Sequence, residues 1–283
     1  VKEFPDFVSA QYGSASIWLK RGLASRSMFE LMADADRLLE RSDCVIIKDQ
    51  RKIKVGRVPL ECDGKKLIVY IKRYNAFSFR YRLQSVFVCS GAVKSLRGVA
   101  IVSAIGVFTA RPVAAIEHRR GGMLVKSFFV SEEIKGGKTA DAYWREDASA
   151  FEGAQGLRRR RVFLKQLAEL FSRLHAHGVY HNDLKDANIM VVPDGEDVRP
   201  SFGLLDVEGV RRYAMLSRYR HIKNLVQLNR TFGRHLRRTE LLYFLNCYLS
   251  GNIFDRGVRK SWARDIYTQS VRLDQVKGIF HGG

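Results

Sequence analysis

Apolar residues recur at three- and four-residue steps through Val162, Leu164, Leu167, Leu170, Phe171 and Leu174, the period of a helix with one buried face. The spacing therefore predicts a helix over Arg158 to His177, ended by Gly178, which supplies the left-handed conformation of a helix stop. Other apolar runs are short and bounded by turn residues. Val45-Ile46-Ile47, Ile53-Lys54-Val55 and Leu67 to Ile71 predict strands, with Cys62-Asp63-Gly64-Lys65 as the turn between the last two. Phe128 to Ile134 predicts a further strand. Ile189 to Val192 and Phe202 to Leu205 predict a hairpin across Pro193-Asp194-Gly195. Helices are expected over Met28 to Leu39, over Ala92 to Ala104, and through Glu240 to Gly283. In the last of these, Leu241, Leu242, Phe244, Leu245, Tyr248 and Leu249 are expected in the core.

Composition adds limits. A chain of 283 residues with 46% hydrophobic and 11% aromatic content can bury one or two cores. No internal repeat and no low-complexity tract appears. The longest apolar run, Gly98 to Phe108, is far short of the roughly 20 residues a bilayer span needs. Residues 1–20 lack the charged-then-apolar pattern of a secretory signal. Cys44, Cys62, Cys89 and Cys247 show no metal-ligand spacing and fit a reducing compartment.

Charge changes the picture more. Forty-nine Lys and Arg against 29 Asp and Glu give a net charge of +20, which attracts polyanions: nucleic acid, an anionic membrane face or a phosphate-rich substrate. No nucleic-acid-binding signature accompanies it, so nucleic acid ranks below a membrane-surface substrate.

The candidate chemistry lies in His181-Asn182-Asp183-Leu184-Lys185-Asp186-Ala187-Asn188, followed by a hairpin that returns at Leu204-Leu205-Asp206. Phosphoryl transfer needs a carboxylate to orient the attacking hydroxyl, a cation to offset charge on the moving group, and oxygen ligands for magnesium. Asn188 and Asp206 flank one hairpin and can converge on a single ion.

His-x-Asp-Leu-Lys-x-x-Asn with an Asp one hairpin later resembles the catalytic and metal-binding loops of the protein-kinase-like fold. The resemblance implies an α+β, bilobal fold, with a small β-rich N-lobe over 1–132 and a larger, mainly helical C-lobe over 133–283. It implies ATP and Mg2+ as cofactors, Asp183 as catalytic base, Lys185 on the transferred phosphate, and Asn188 and Asp206 as metal ligands. Lys72, which closes the strand begun at Leu67, resembles the lysine that contacts the α- and β-phosphates. Gly56, in the stretch Lys52 to Arg57, stands for the phosphate-covering loop, where protein kinases usually carry three glycines. Ser131 and Glu133 fall in the adenine-binding hinge, with Gly136-Gly137 as its pivot.

Three departures matter. Asn182 and Asp206-Val207-Glu208 replace the Arg and the Asp-Phe-Gly of regulated protein kinases, which points toward a small-molecule or glycolipid acceptor. From Gly64 to Ile116 there is no Asp or Glu, so the helix carboxylate that normally orients the strand lysine is missing. Further stretches resemble the lipopolysaccharide core kinases: Lys72 to Asn75, Gly106 to Ala114, Phe129 to Glu133, and Asn224-Leu225-Val226-Gln227-Leu228-Asn229-Arg230. That family implies transfer of the ATP γ-phosphate to a Kdo or heptose hydroxyl of the lipid A-core glycolipid. It also implies a peripheral, cytoplasmic location on the inner face of the bacterial inner membrane. Arg211, Arg212, Arg218 and Arg220, just past Asp206, are the expected substrate contacts, with Arg158 to Arg161 as further candidates. An atypical protein Ser/Thr kinase and a non-catalytic kinase-like binding module are the competing readings.

Overall fold

The computed structural model describes residues 4–62, 64–76, 78–148, 153–192, 200–249 and 256–276. In chain order the first elements are β1 (Phe7–Tyr12), β2 (Ala15–Lys20), α1 (Arg26–Ala33), α2 (Ala35–Glu40), β3 (Val45–Asp49), β4 (Ile53–Cys62), β5 (Lys65–Asn75), α3 (Phe79–Gln84) and α4 (Gly91–Ser103). Then come β6 (Phe108–Thr109), β7 (Pro112–Arg120), β8 (Met123–Glu132), β9 (Lys138–Thr139), α5 (Ala140–Tyr143) and α6 (Gly153–Ala176). The chain continues with β10 (Val179–His181), β11 (Ile189–Val192), β12 (Ser201–Leu204), β13 (Val210–Arg212), α7 (Arg218–Thr231), α8 (Arg238–Leu249) and α9 (Arg256–Val276). Two compact units result, one of Val1–Ala100 with Ala110–Lys135, the other of Ile101–Thr109 with Gly136–Gly283.

The first unit is built on a seven-stranded sheet ordered β1-β2-β7-β8-β5-β4-β3, antiparallel throughout. Alternation decides its faces. Ala15, Ile17 and Leu19 of β2, Val58 and Leu60 of β4, and Val69 and Ile71 of β5 are buried on the face covered by Met28, Phe29, Met32 and Leu38 of α1 and α2. Each such side chain stabilises the fold by about 1.5–3 kcal/mol on burial. The sequence pattern predicted a single helix over Met28 to Leu39. Instead Asp34, a residue type that favours caps over helix interiors, takes φ −121° and ψ 53° and divides it. Ser25 caps the first piece, accepting from the Met28 N–H at 3.2 Å.

The hairpin turn between β3 and β4 is tight. Gln50 and Ile53 exchange backbone bonds of 2.9 and 3.1 Å, leaving only Arg51 and Lys52 at the tip. Ile53 to Val55 are strand as the pattern predicts, and Gly56 and Arg57, expected in a covering loop, continue the same strand. Likewise Lys72 does not close β5, which continues to Asn75.

In the second unit α6 carries the predicted apolar face and runs from Gly153, earlier than the pattern indicated. Its Phe163 lies at the centre of a ring cluster with Tyr143, Trp144, Phe202 and Phe232, centroids 5.0–5.9 Å apart. Two small sheets, β10-β13 and β6-β12-β11-β9, complete this unit. Gly178, after α6, has φ +71°, and an added Cβ would lie 2.0 Å from the Tyr213 carbonyl oxygen. Glycine is therefore required there on two counts, conformation and contact. The predicted turn Pro193-Asp194-Gly195 and the segments 250–255 and 277–283 of the C-terminal helical reading lie outside the described residues. Among the described residues no helix is long and apolar enough to cross a membrane. In α8, Phe244, Leu245, Tyr248 and Leu249 are buried as expected, whereas Leu242 is exposed.

Candidate active site

β10 delivers the chain to His181 and β11 carries it away from Ile189, so the polar octapeptide 181–188 is a loop anchored at both ends. Leu184 is its apolar foot, fully buried. His181 is buried too: it accepts from the Asp183 N–H on Nδ1 (3.1 Å) and donates from Nε2 to the Leu205 carbonyl (3.3 Å). One imidazole thus ties the loop to the far strand of the hairpin. Register does the rest: Ile189 pairs with Leu204, and the Leu205 N–H donates to the Asn188 carbonyl at 2.9 Å.

On this frame Asp183, Lys185 and Asn188 come together. The Lys185 ammonium is 2.8 Å from Asp183 Oδ2. Asn188 Nδ2 donates to the Asp183 carbonyl (2.8 Å) and to Asp183 Oδ2 (3.1 Å). The Asp183 and Lys185 side chains are 54% and 39% exposed, so their pair contributes at most about 1 kcal/mol to stability. With its amide nitrogen engaged, Asn188 has Oδ1 as the lone-pair carrier for a hard cation.

Asp206 follows the end of β12 and has φ 50°, ψ 50°, the one positive-φ residue other than glycine among those described. Asp tolerates this region better than most residues, yet the conformation still costs of order 1–3 kcal/mol. Strain of that kind points to a position held for function. Asp206→Asn keeps the conformational tolerance while removing the charge. It is expected to leave unfolding free energy within about 0.5 kcal/mol of the wild type and to weaken Mg-ATP binding, read by denaturant melts and calorimetry.

The support of the loop was not legible as function. Asn224, fully buried on α7, donates from Nδ2 to the His181 carbonyl (2.6 Å) and to Gln227 Oε1 (2.9 Å). Gln227 Oε1 accepts from the Leu184 N–H at 3.1 Å, and Gln227 Nε2 donates to the Asn182 carbonyl. The opposite side of the same helix stretch serves packing: Asn229 Nδ2 bonds Ser270 Oγ (2.9 Å), and Arg230 pairs with the buried Asp274 at 2.6 Å. The available signal was an Asn inside the apolar stripe Ile222, Leu225, Val226 and Leu228.

Asn224 also ends a buried chain of polar groups. Because its Nδ2 donates elsewhere, its Oδ1 accepts from His175 Nε2 (3.2 Å); His175 Nδ1 then accepts from the Tyr248 hydroxyl (2.8 Å). His221 Nδ1 donates to that hydroxyl oxygen at 2.7 Å. Burial, and then the nearby His221, push the His175 pKa down to about 3; burial also lowers His181 and His221. A depressed histidine stabilises the fold fully above its unfolded value near 6.5, and that stability is lost as pH falls toward the folded value. Lowering pH from 7.5 to 5.5 is therefore expected to reduce unfolding free energy by about 1 kcal/mol from His175 alone, read as a fall in the urea midpoint. An unchanged or higher midpoint at pH 5.5 would contradict it.

The other sequence-selected residues are placed as follows. Lys72 lies within β5, its ammonium 5.0 Å from the centroid of the Tyr74 ring. Tyr74 bonds Ser95 of α4 (2.9 Å), a helix that carries no Asp or Glu. Gly56 sits beside this strand, opposite Ile71. Its lack of a side chain is explained by packing, since a Cβ would meet Leu39 Cδ2 at 2.6 Å and Cys44 Sγ at 2.7 Å. Ser131 is buried on β8 between Tyr70 and Pro112. Glu133 gives its N–H to the Ile68 carbonyl (2.9 Å), and its carboxylate is gripped by Arg57 at 2.7 and 3.1 Å. That guanidinium holds the Glu133 carboxyl below its usual range.

The arginines divide. Arg218 is committed to Asp265 (2.7 Å), to Ser261 (3.1 Å) and to the face of Trp262. Arg220 stacks on Tyr213 at 3.9 Å. Arg211 and Arg212 are exposed on β13, the former bonded to the Glu208 and Val210 carbonyls. In α6, Arg160 pairs with Glu240 at 3.2 Å with both side chains largely buried, and Arg161 lies over the Tyr243 ring.

Residues 48–248 match the family described as Lipopolysaccharide kinase (Kdo/WaaP) family. A solved structure described as WaaP in complex with acyl carrier protein aligns with a TM-score of 0.62 over 88% of this chain and 97% of that chain, at 16% identity. At that identity the likeness shows the fold, a mixed α/β, kinase-like one. No curated protein matches the sequence significantly.

Proposed function

We propose that this chain, which belongs to the lipopolysaccharide kinase (Kdo/WaaP) family and is a kinase, transfers the γ-phosphate of ATP to a Kdo or heptose hydroxyl of the lipid A-core. The observation that carries the chemistry is the convergence of Asp183, Lys185 and Asn188 on a loop whose next strand ends at Asp206. Asp183, half exposed beside Lys185, is the group to accept the hydroxyl proton. Lys185 offsets charge on the transferred group. Asn188 Oδ1 and the Asp206 carboxylate suit Mg2+, which needs few protein ligands because nucleotide phosphates and water complete its shell. When bound, the ion neutralises charge on the nucleotide phosphates.

In the first unit Lys72 is assigned to the α- and β-phosphates, with backbone at Gly56 and the Arg51-Lys52 turn covering them. Because the Glu132 and Glu133 N–H groups serve the Arg111 and Ile68 carbonyls, adenine is assigned to carbonyl oxygens at Ser131 to Glu133 and to groups beyond them. Residues 1–132 and 133–283 are read as the two lobes. Of the four arginines, Arg211, Arg212 and Arg220 are retained for the acidic core sugars, Arg218 being committed to α9. The net charge of +20 suits a peripheral position on the cytoplasmic face of the inner membrane. Because the WaaP structure contains an acyl carrier protein, a carrier-protein partner is extended to this chain, checked by co-purification.

Labelled ATP and Mg2+, offered with lipid A-core and with a generic protein substrate in parallel, test the reading. Label on the glycolipid is expected. Label on protein alone would move the assignment to a protein kinase, and label on neither to a binding module.

A further inference from the structure

Between Gly64 and Ile116 the chain carries nine Lys and Arg and no Asp or Glu. Within that interval Leu83, Val86, Phe87 and Val88 are 56, 49, 90 and 48% exposed. Phe and Val are among the residues most often buried, and four such side chains together at the surface mark a contact site. We propose that this loop is a membrane wedge, seating Phe87 and its valines in a bilayer with anionic headgroups.

The loop is held out rather than loose. On one side Ser85, 3% exposed, accepts on Oγ from the Leu124 N–H (2.8 Å) and on its carbonyl from Arg119 Nη1 (3.1 Å). On the other, Ser90, fully buried, gives its N–H to Glu117 Oε1 (3.4 Å) and caps α4 by accepting from the Val93 N–H (3.2 Å). Both feet of the loop are therefore fixed to β7, β8 and α4. The Phe87 N–H closes a turn onto the Gln84 carbonyl at 3.0 Å, so the polar backbone at the crown is partly satisfied internally.

Its rim is cationic. Arg82, next to Leu83 in the chain, is exposed, Arg119 reaches the Ser85 carbonyl, and Arg97 lies against Cys89 with Nη1 2.8 Å from Sγ. Glu117, the carboxylate this loop touches, is buried and paired with Arg119 at 3.0 Å. An apolar crown ringed by guanidinium groups matches the layering of an anionic bilayer, where headgroup phosphates lie above the acyl boundary. A protruding aromatic with β-branched neighbours suits a deformable surface better than the polar rim of a protein interface.

This inference does not depend on the phosphotransfer reading, because it is tested without nucleotide or acceptor. Sedimentation with vesicles of phosphatidylethanolamine and phosphatidylglycerol is expected to carry the wild-type chain down, and phosphatidylcholine vesicles much less. Phe87→Asp is expected to lower partition into the anionic vesicles at least tenfold with an unchanged circular dichroism spectrum. Phe87→Trp adds a direct reading: its extra emission should shift to the blue on anionic vesicles and be quenched by lipids brominated on the acyl chain. Wild-type partition by Phe87→Asp, or an unmoved Phe87→Trp emission, would overturn the proposal. So would retention of the chain by a protein partner together with no vesicle binding.

Discussion

Asp183→Ala is expected to lower kcat by about 10²–10⁴-fold while leaving Mg-ATP affinity within about twofold. The expectation separates chemistry from architecture. The loop backbone is fixed by groups other than the Asp183 carboxylate: His181 through its ring, Asn224 and Gln227 through their amides, and Leu184 by burial. Truncating a half-exposed side chain should leave that frame in place. Lys185 loses a partner at 2.8 Å, but at 39% exposure water replaces it at little cost. Initial rates and nucleotide calorimetry on the same preparation check the split. A variant within tenfold of the wild-type kcat would remove Asp183 from the base role.

Asn224→Ala should act through the fold and the loop together. The side chain is fully buried and makes three bonds: to the His181 carbonyl, to Gln227 Oε1 and from His175 Nε2. Alanine leaves a buried carbonyl and a buried imidazole N–H unsatisfied, at about 1–3 kcal/mol each. A loss near 3 kcal/mol in unfolding free energy is expected, with at least a tenfold lower kcat in the fraction that remains folded. Denaturant melts give the first figure, and rates normalised to folded protein give the second. Lost stability with wild-type turnover would mean that α7 supports the unit but does not position Asp183.

The same contrast explains what could be read from sequence. The reactive groups were legible because Asp183, Lys185 and Asn188 are five residues apart or less and Asp206 is set by a hairpin register, so local pattern sufficed. Helix α6 and strands β4 and β5 were legible from periodicity for the same reason. What sequence missed was long-range. Arg57 meets Glu133 across 76 residues, and Arg218 meets Ser261 across 43; no spacing rule announces either pair. Residues 1–40 gave no role because β1 and β2 acquire one only by adding to the edge of β7. Why Gly56 is glycine was not legible either: an added Cβ would meet Leu39 and Cys44, residues 12 or more positions away in the chain. The stretch from Asn224 was marked by resemblance, but its bonds to His175 and the His181 carbonyl were not legible, because both partners are supplied only by the fold.

Mass spectrometry of lipid A-core incubated with ATP, Mg2+ and either the wild-type chain or Asp183→Ala tests the central claim most directly. The account predicts one added phosphate on a core sugar with the wild type and, at equal enzyme and time within the initial-rate period, about a hundredfold less or lower still with the variant. An unmodified core with the wild type, or equal modification by both, would contradict it.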